Sequence, residues 1–136
     1  MKRNLITYIG STVVFFAVLS VMDVPLLAHH GRGASYDNSK ITTIQGTVTE
    51  WTWRNPHVAL YVDVKEADGK VTNWGFESQN VGSLSKLGIT KNTFRAGQQI
   101  TVKFNPSRGG APVGVIRRVY DTNGKELLAF GGSIDQ

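Results

Sequence analysis

The chain has 136 residues and a formal net charge of +5, enough for one domain with a modest core and too short for two. It has no cysteine, so the core rather than disulfides must hold it together. The charge is spread without a run of like sign, which fits a soluble protein with mild attraction to anions.

Met1, Lys2 and Arg3 form a positive start, followed by an apolar run from Leu5 to Met22 that is softened by Thr7, Ser11, Thr12 and Ser20. Asp23 and Pro25 break a helix, and Leu26-Leu27-Ala28 ends on the small residue that signal peptidase needs. Residues 1–28 therefore read as a helical secretory signal peptide, and the protein as periplasmic or secreted. The alternative is an uncleaved anchor, since the run approaches the ~20 residues needed to span a bilayer; membrane attachment is expected only in that case. Cleavage removes Lys2, Arg3 and Asp23, giving a mature charge of +5 − 2 + 1 = +4. Both methionines lie in this segment, so the mature chain carries no sulfur.

Residues 29–40, HHGRGASYDNSK, are glycine-rich, polar and without helical or strand periodicity, and read as a mobile or loosely docked arm. From 41 to 130 the pattern is that of a β domain. Ile41 to Trp53 has the Ile, Thr, Val and Trp content of a long strand, and Gly46 within it predicts a bulge or sharp bend. Asn55-Pro56 ends that strand, because proline lacks an amide proton and restricts the residue before it. In the next strand Val58, Leu60, Val62 and Val64 alternate with Ala59, Tyr61, Asp63 and Lys65.

Glu66 to Gly69 predicts a hairpin turn, and Lys70 to Ser78 returns with Trp74 and Phe76 on one face. Val81, Leu84 and Leu87 then recur at intervals of three, with Asn80 as N-cap and Gly88 as stop, which predicts a short amphipathic helix. Thr90 to Phe94 could add a turn. Strands are expected around Ile100 to Phe104, over Val113 to Tyr120, and over Lys125 to Phe130, followed by a loose tail at 131–136. Five to six antiparallel strands with one helix between the third and fourth give an all-β fold, a small OB-fold-like barrel. A small open sheet with a packed helix is the alternative architecture.

Several motifs stand along this order, each once: His29-His30, Tyr36-Asp37, Gly46-Thr47-Val48 with Trp51, Trp53 and Asn55-Pro56-His57, Asp68-Gly69-Lys70-Val71 with Trp74, and Gly124-Lys125-Glu126-Leu127. In these the chain resembles a family of small secreted bacterial proteins classed as a domain of unknown function. Ile89 departs from the tryptophan that similar proteins tend to have after the helix, a change that bears on packing. The resemblance implies export and a small barrel, draws attention to the histidines, and brings no activity with it.

Chemistry is expected near the corner Trp51 to His57. A binding module would use Trp51, Trp53, Arg54, Asn55, Tyr61 and Trp74 to hold a small molecule, a glycan or a periplasmic protein, with the tryptophans alternatively serving as core. A metal site would use His29, His30 and His57: cleavage after Ala28 makes the His29 α-amine and imidazole a chelate, and His57 supplies a third nitrogen. Nitrogen ligands without sulfur suit Cu(II) or Zn(II). The OB-like fold, the basic balance and Arg108, Arg117 and Arg118 point toward nucleic acid, but it is not expected as a partner, because export argues against it and these arginines are not interleaved with aromatics, Arg117 and Arg118 being placed on a solvated strand edge. Glu50, Asp63 and Glu77 read as solvated strand-face carboxylates, and no catalytic constellation is apparent. The expectation is an exported binding or accessory protein rather than an enzyme.

Overall fold

A computed structural model describes residues 35–131. The signal peptide, His29, His30 and the tail at 132–136 lie outside the described residues. The elements are β1 (Thr42–Thr52), β2 (Ala59–Lys65), β3 (Val71–Glu77), α1 (Val81–Lys86), β4 (Gln99–Pro106), β5 (Val113–Tyr120) and β6 (Glu126–Ala129).

β1 serves two neighbours. Its first half pairs antiparallel with β4 from Thr42↔Phe104 to Thr47↔Gln99, and its second half pairs with β2 from Thr47↔Asp63 to Thr52↔Ala59. Thr47 is the hinge residue, bonded on both sides. Gly46 stands beside this switch for a steric reason: a Cβ there would lie 2.4 Å from the Asp63 carbonyl oxygen and 2.6 Å from Val62 Cγ1. The bulge expected at Gly46 occurs further on, where the β1–β2 register shifts between Val48 and Glu50. Glycine is there to admit a crossing strand, and the extra residue sits where the strand must turn its face.

β2 and β3 form the expected hairpin, turning at Gly69 with φ +86°. β4 pairs with β5, and β5 with β6. Closure comes from a parallel pairing of β3 with β5 through Gly75↔Val113, Phe76↔Gly114 and Glu77↔Val115. The strand set is thus antiparallel apart from this seam, which removes the sheet edges of β3 and β5. Order and closure are those of an OB-fold barrel with an added sixth strand.

The alternation in the strands sets the interior. Leu60, Val62, Phe76, Val102, Phe104, Ile116 and Val119 are all essentially inaccessible to water, each such burial stabilising by roughly 1.5–3 kcal/mol before entropy is counted. Phe76 and Phe104 meet edge to face at 4.8 Å, and Trp74 stacks on Phe76 at 6.0 Å. Gly114 leaves room for the Phe104 ring, since a Cβ there would lie 2.3 Å from Phe104 Cδ2.

α1 joins β3 to β4 and contributes Leu84 to the core, with Val81 packed against it. Asn80 caps the helix through Oδ1, which accepts from the Ser83 amide at 2.9 Å, and Asn55 Oδ1 accepts from the Val81 amide at 3.1 Å. The helix ends in paired bonds from the Gly88 amide to Ser85 and from the Ile89 amide to Leu84, with Gly88 at φ +77°. That turn corrects the expected apolar face. Leu84 is buried, whereas Leu87 is 55% exposed, because the chain reverses at Gly88 and Ile89 takes the core position. Thr90 to Phe94 forms turns, not helix, and drops Phe94 into the core.

Candidate functional site

Residues 35–40, within the stretch expected as a mobile or loosely docked arm, run against the β4–β5 connection. Tyr36 bridges Ser107, the Asp37 amide donates to the Pro106 carbonyl at 2.9 Å, and the Arg108 amide donates to that of Ser35 at 3.0 Å. Buried Asn105 donates to the Lys40 carbonyl at 2.8 Å. Asp37 Oδ1 accepts from the Ser39 hydroxyl at 2.7 Å and its amide at 3.2 Å, with Arg108 at 3.7 Å. These bonds to Ser39, aided by Arg108, hold the Asp37 carboxyl below its ordinary value.

The same docking brings Tyr36 to β3. Its hydroxyl donates to Glu77 Oε2 at 3.3 Å, while His57 Nδ1 lies 3.0 Å from Glu77 Oε1. Glu77 is therefore no plain solvated carboxylate, as its strand position alone suggests. It joins the arm, the β1–β2 turn and the barrel seam. His57 keeps 42% of its side chain exposed, so the ring edge away from Glu77 faces outward.

From this cluster an outward row extends along the hairpin. Ala59, Tyr61, Asp63 and Lys65 of β2 pair with Glu77, Gly75, Asn73 and Val71 of β3. The Tyr61 ring lies across Gly75: a Cβ there would be 3.3 Å from Tyr61 Cε1 and 3.7 Å from Val113 Cγ1. Beyond the ring, Asn73 Nδ2 donates to Asp63 Oδ1 at 2.7 Å and Thr49 Oγ1 at 3.1 Å. The face thus offers an aromatic plate with a carboxylate–amide pair at one side and the His57–Glu77–Tyr36 cluster at the other.

The sequence-derived candidates separate accordingly. Trp51 and Trp53 pack on the core, ring centroids 5.8 Å apart, with Trp51 Nε1 bonded to the Thr90 carbonyl at 3.0 Å. Trp74 is directed inward, and Asn55 holds the start of α1. Arg54 is exposed in the turn. Tyr61 and His57 remain on the outward face, while His29 and His30 fall outside the described residues. Glu77 and Tyr36 were not among the candidates. Strand alternation places Glu77 beside Tyr61, yet nothing in the spacing brings Tyr36 across 41 residues to meet it. Arg118 is also corrected: β5 is flanked by β3, β4 and β6, and the Arg118 side chain is 15% exposed and paired with Glu126.

The sequence matches the profile of a family of unknown function (DUF6152) over residues 17–117. That is more than half of its length, and the chain belongs to this family. No curated protein matches it. Among solved structures, mitochondrial single-stranded DNA binding proteins from S. cerevisiae, Rim1, resemble the barrel. One is 13% identical with a TM-score of 0.46, covering 61% of this chain and 93% of that chain. A second is 14% identical, again with a TM-score of 0.46, covering 61% and 95%. These values describe a similar barrel only. They nonetheless correct the expectation that nucleic acid is no partner: the structures found are single-stranded DNA binding proteins, and the lack of an interleaved basic and aromatic stripe in the sequence does not sustain that exclusion.

Proposed function

We propose that the barrel is a non-enzymatic binding module whose ligand lies on the outward β2–β3 face and stacks on Tyr61. One observation carries this reading: the Tyr61 ring, on the outward face of β2, lies beside a residue without a side chain, Gly75, where a Cβ would come within 3.3 Å of Tyr61 Cε1, so no cross-strand side chain at that position covers it. Stacking on a ring left open in this way suits a planar ligand ring. Asp63, Asn73 and Glu77 around it suit amino or hydroxyl groups on the ring edge. His57 has Glu77 as its partner, which holds the ring at the end of this face. The OB architecture, which commonly binds on this face, supports it by analogy alone.

The test is an NMR titration of the purified protein with adenosine, an aromatic amine and a thymidine oligomer. Shifts confined to Tyr61, Asp63, Asn73 and Gly75, and abolished by Tyr61→Ala, are the expected result. If none of the three probes moves these signals, or Tyr61→Ala binds equally well, the reading is wrong.

A second reading is a Cu(II) or Zn(II) site formed by His57 with the amino-terminal His29. It is favoured by the Glu77 contact at His57 Nδ1, since a carboxylate on one ring nitrogen orients the other for a metal. Tyr36 reaches the same carboxylate, and the seven residues from His29 to Tyr36 span at most ~24 Å. Calorimetry of the protein cleaved after Ala28 should give binding heat with Cu(II) that the His29→Ala, His57→Ala double variant loses. Equal heats from both proteins exclude the site.

A further inference from the structure

A second recess lies on the β1–β4–β5 flank of the barrel and shares no residue with the Tyr61 face. Its volume is about 450 Å³, and it is lined by Gln45, Gln99, Thr101, Tyr120, Asp121 and Thr122 among others. Registers explain how it forms. Gln45 pairs with Thr101 and Thr101 with Tyr120, so three outward side chains stand in one row across three strands. Thr47 and Gln99 make the next row. The β5–β6 turn, Asp121 to Gly124, forms the wall at the end.

The chemistry of this lining is unusual for so basic a chain. Its amides and hydroxyls are uncharged, and each can both donate and accept. Gln99 is already held, its Nε2 donating to Thr47 Oγ1 at 2.6 Å, so less rotamer freedom is lost when its remaining groups bind. The one carboxylate, Asp121, is committed to the turn: its Oδ1 accepts from the Asn123 amide at 2.8 Å and the Lys125 amide at 2.9 Å. Tyr120 supplies an aromatic wall, with Lys103 Nζ 5.7 Å from its ring centroid.

We infer that this recess binds an uncharged saccharide. Sugar hydroxyls are simultaneous donors and acceptors, which glutamine and threonine match group for group, and the C–H face of a pyranose packs on an aromatic ring. The volume falls within the roughly 300–1,000 Å³ of small-ligand sites. The lining residues themselves carry no cation, and the two cations at Tyr120 are engaged there, Lys103 over its ring and Arg118 by a bond to it; an apolar ligand would strand the amides without partners.

The experiment is an NMR titration of the whole purified protein with neutral gluco-, manno-, galacto- and N-acetylglucosamine oligosaccharides at millimolar concentration, with a hexose phosphate and a thymidine oligomer as charged competitors. The expected result is that at least one neutral sugar shifts Gln45, Gln99, Thr101 and Tyr120. Its affinity should fall about tenfold in Gln99→Ala and in Tyr120→Phe, the latter keeping the ring and removing the hydroxyl, a loss of roughly 1.4 kcal/mol. Tyr61→Ala should leave it unchanged, which separates this site from the β2–β3 face. Failure of every neutral sugar, tighter binding of the hexose phosphate or the oligomer in the recess, or binding indifferent to both variants overturns the proposal.

Discussion

Tyr61 and Gly75 face each other across the β2–β3 ladder, and the ring of the first lies close enough to the second that a Cβ at Gly75 would stand 3.3 Å from Tyr61 Cε1. Glycine in a strand interior is normally a weakness, exposing backbone and packing nothing. Here the cross-strand ring supplies the missing cover, a device that also fixes the ring's orientation.

The pair should therefore show energetic coupling. Tyr61→Ala is expected to cost roughly 0.5–1 kcal/mol in the natural background, read from urea unfolding. In a Gly75→Ala background the added methyl crowds the ring edge and displaces it by a few tenths of an ångström, so the same substitution should cost less. Equal costs in both backgrounds would mean that the ring contributes nothing by lying over Gly75.

Gly114 has a different constraint. A methyl there would meet the Phe104 ring at 2.3 Å and the Asn105 carbonyl oxygen at 2.9 Å, and Phe104 is fully enclosed. Gly114→Ala is expected to lower stability by about 1–3 kcal/mol through overpacking, far more than Gly75→Ala, where the neighbour is a half-exposed tyrosine. Thermal unfolding of the two variants side by side decides the ranking.

Two asparagines from distant parts of the chain hold the first turn of α1, Asn55 at the Val81 amide and Asn80 at the Ser83 amide. Asn80→Ala should cost ~1 kcal/mol, the usual loss of a cap. Asn55→Ala should cost a similar amount and also free the β1–β2 turn from the helix. Hydrogen exchange at Val81 and Ser83 checks the assignment: each variant should speed its own amide more than the other's.

Much of the barrel is legible in the chain because each strand carries its own period and each turn its own punctuation. Val58 to Val64 alternates strictly, Asp68-Gly69 and Asn123-Gly124 mark their turns, and Asn80 with Gly88 brackets the helix. What escapes the sequence is whatever depends on closure. The bulge after Val48, the parallel seam at Gly75↔Val113, and the reversal that exposes Leu87 while burying Ile89 arise from how elements meet. The site divides in the same way. Strand alternation sends Tyr61 outward and Trp74 inward, but the meeting of Tyr36, His57 and Glu77 needs the arm to fold back along β4.

That arm should be acid-sensitive. Asp37 has a carboxyl lowered below its ordinary value chiefly by its bonds to Ser39 within the arm and further by Arg108; the Arg108 part is what docking supplies, so at low pH the free arm takes up a proton more readily than the docked one. Stability then rises with pH across this window. The Asp37 contribution is fully present above the unfolded value of about 3.9 and is lost as the pH falls through the lower folded value. The amide of Arg108, which donates to the Ser35 carbonyl, reports docking directly. Its NMR signal should move toward an undocked position as the pH falls below the unfolded value of about 3.9, ahead of core amides such as Val102, because an acid-sensitive local contact opens before global unfolding. Asp37→Asn removes the titrating group and should flatten the profile. An Arg108 amide that keeps its position until the core unfolds would show that Asp37 does not govern the arm.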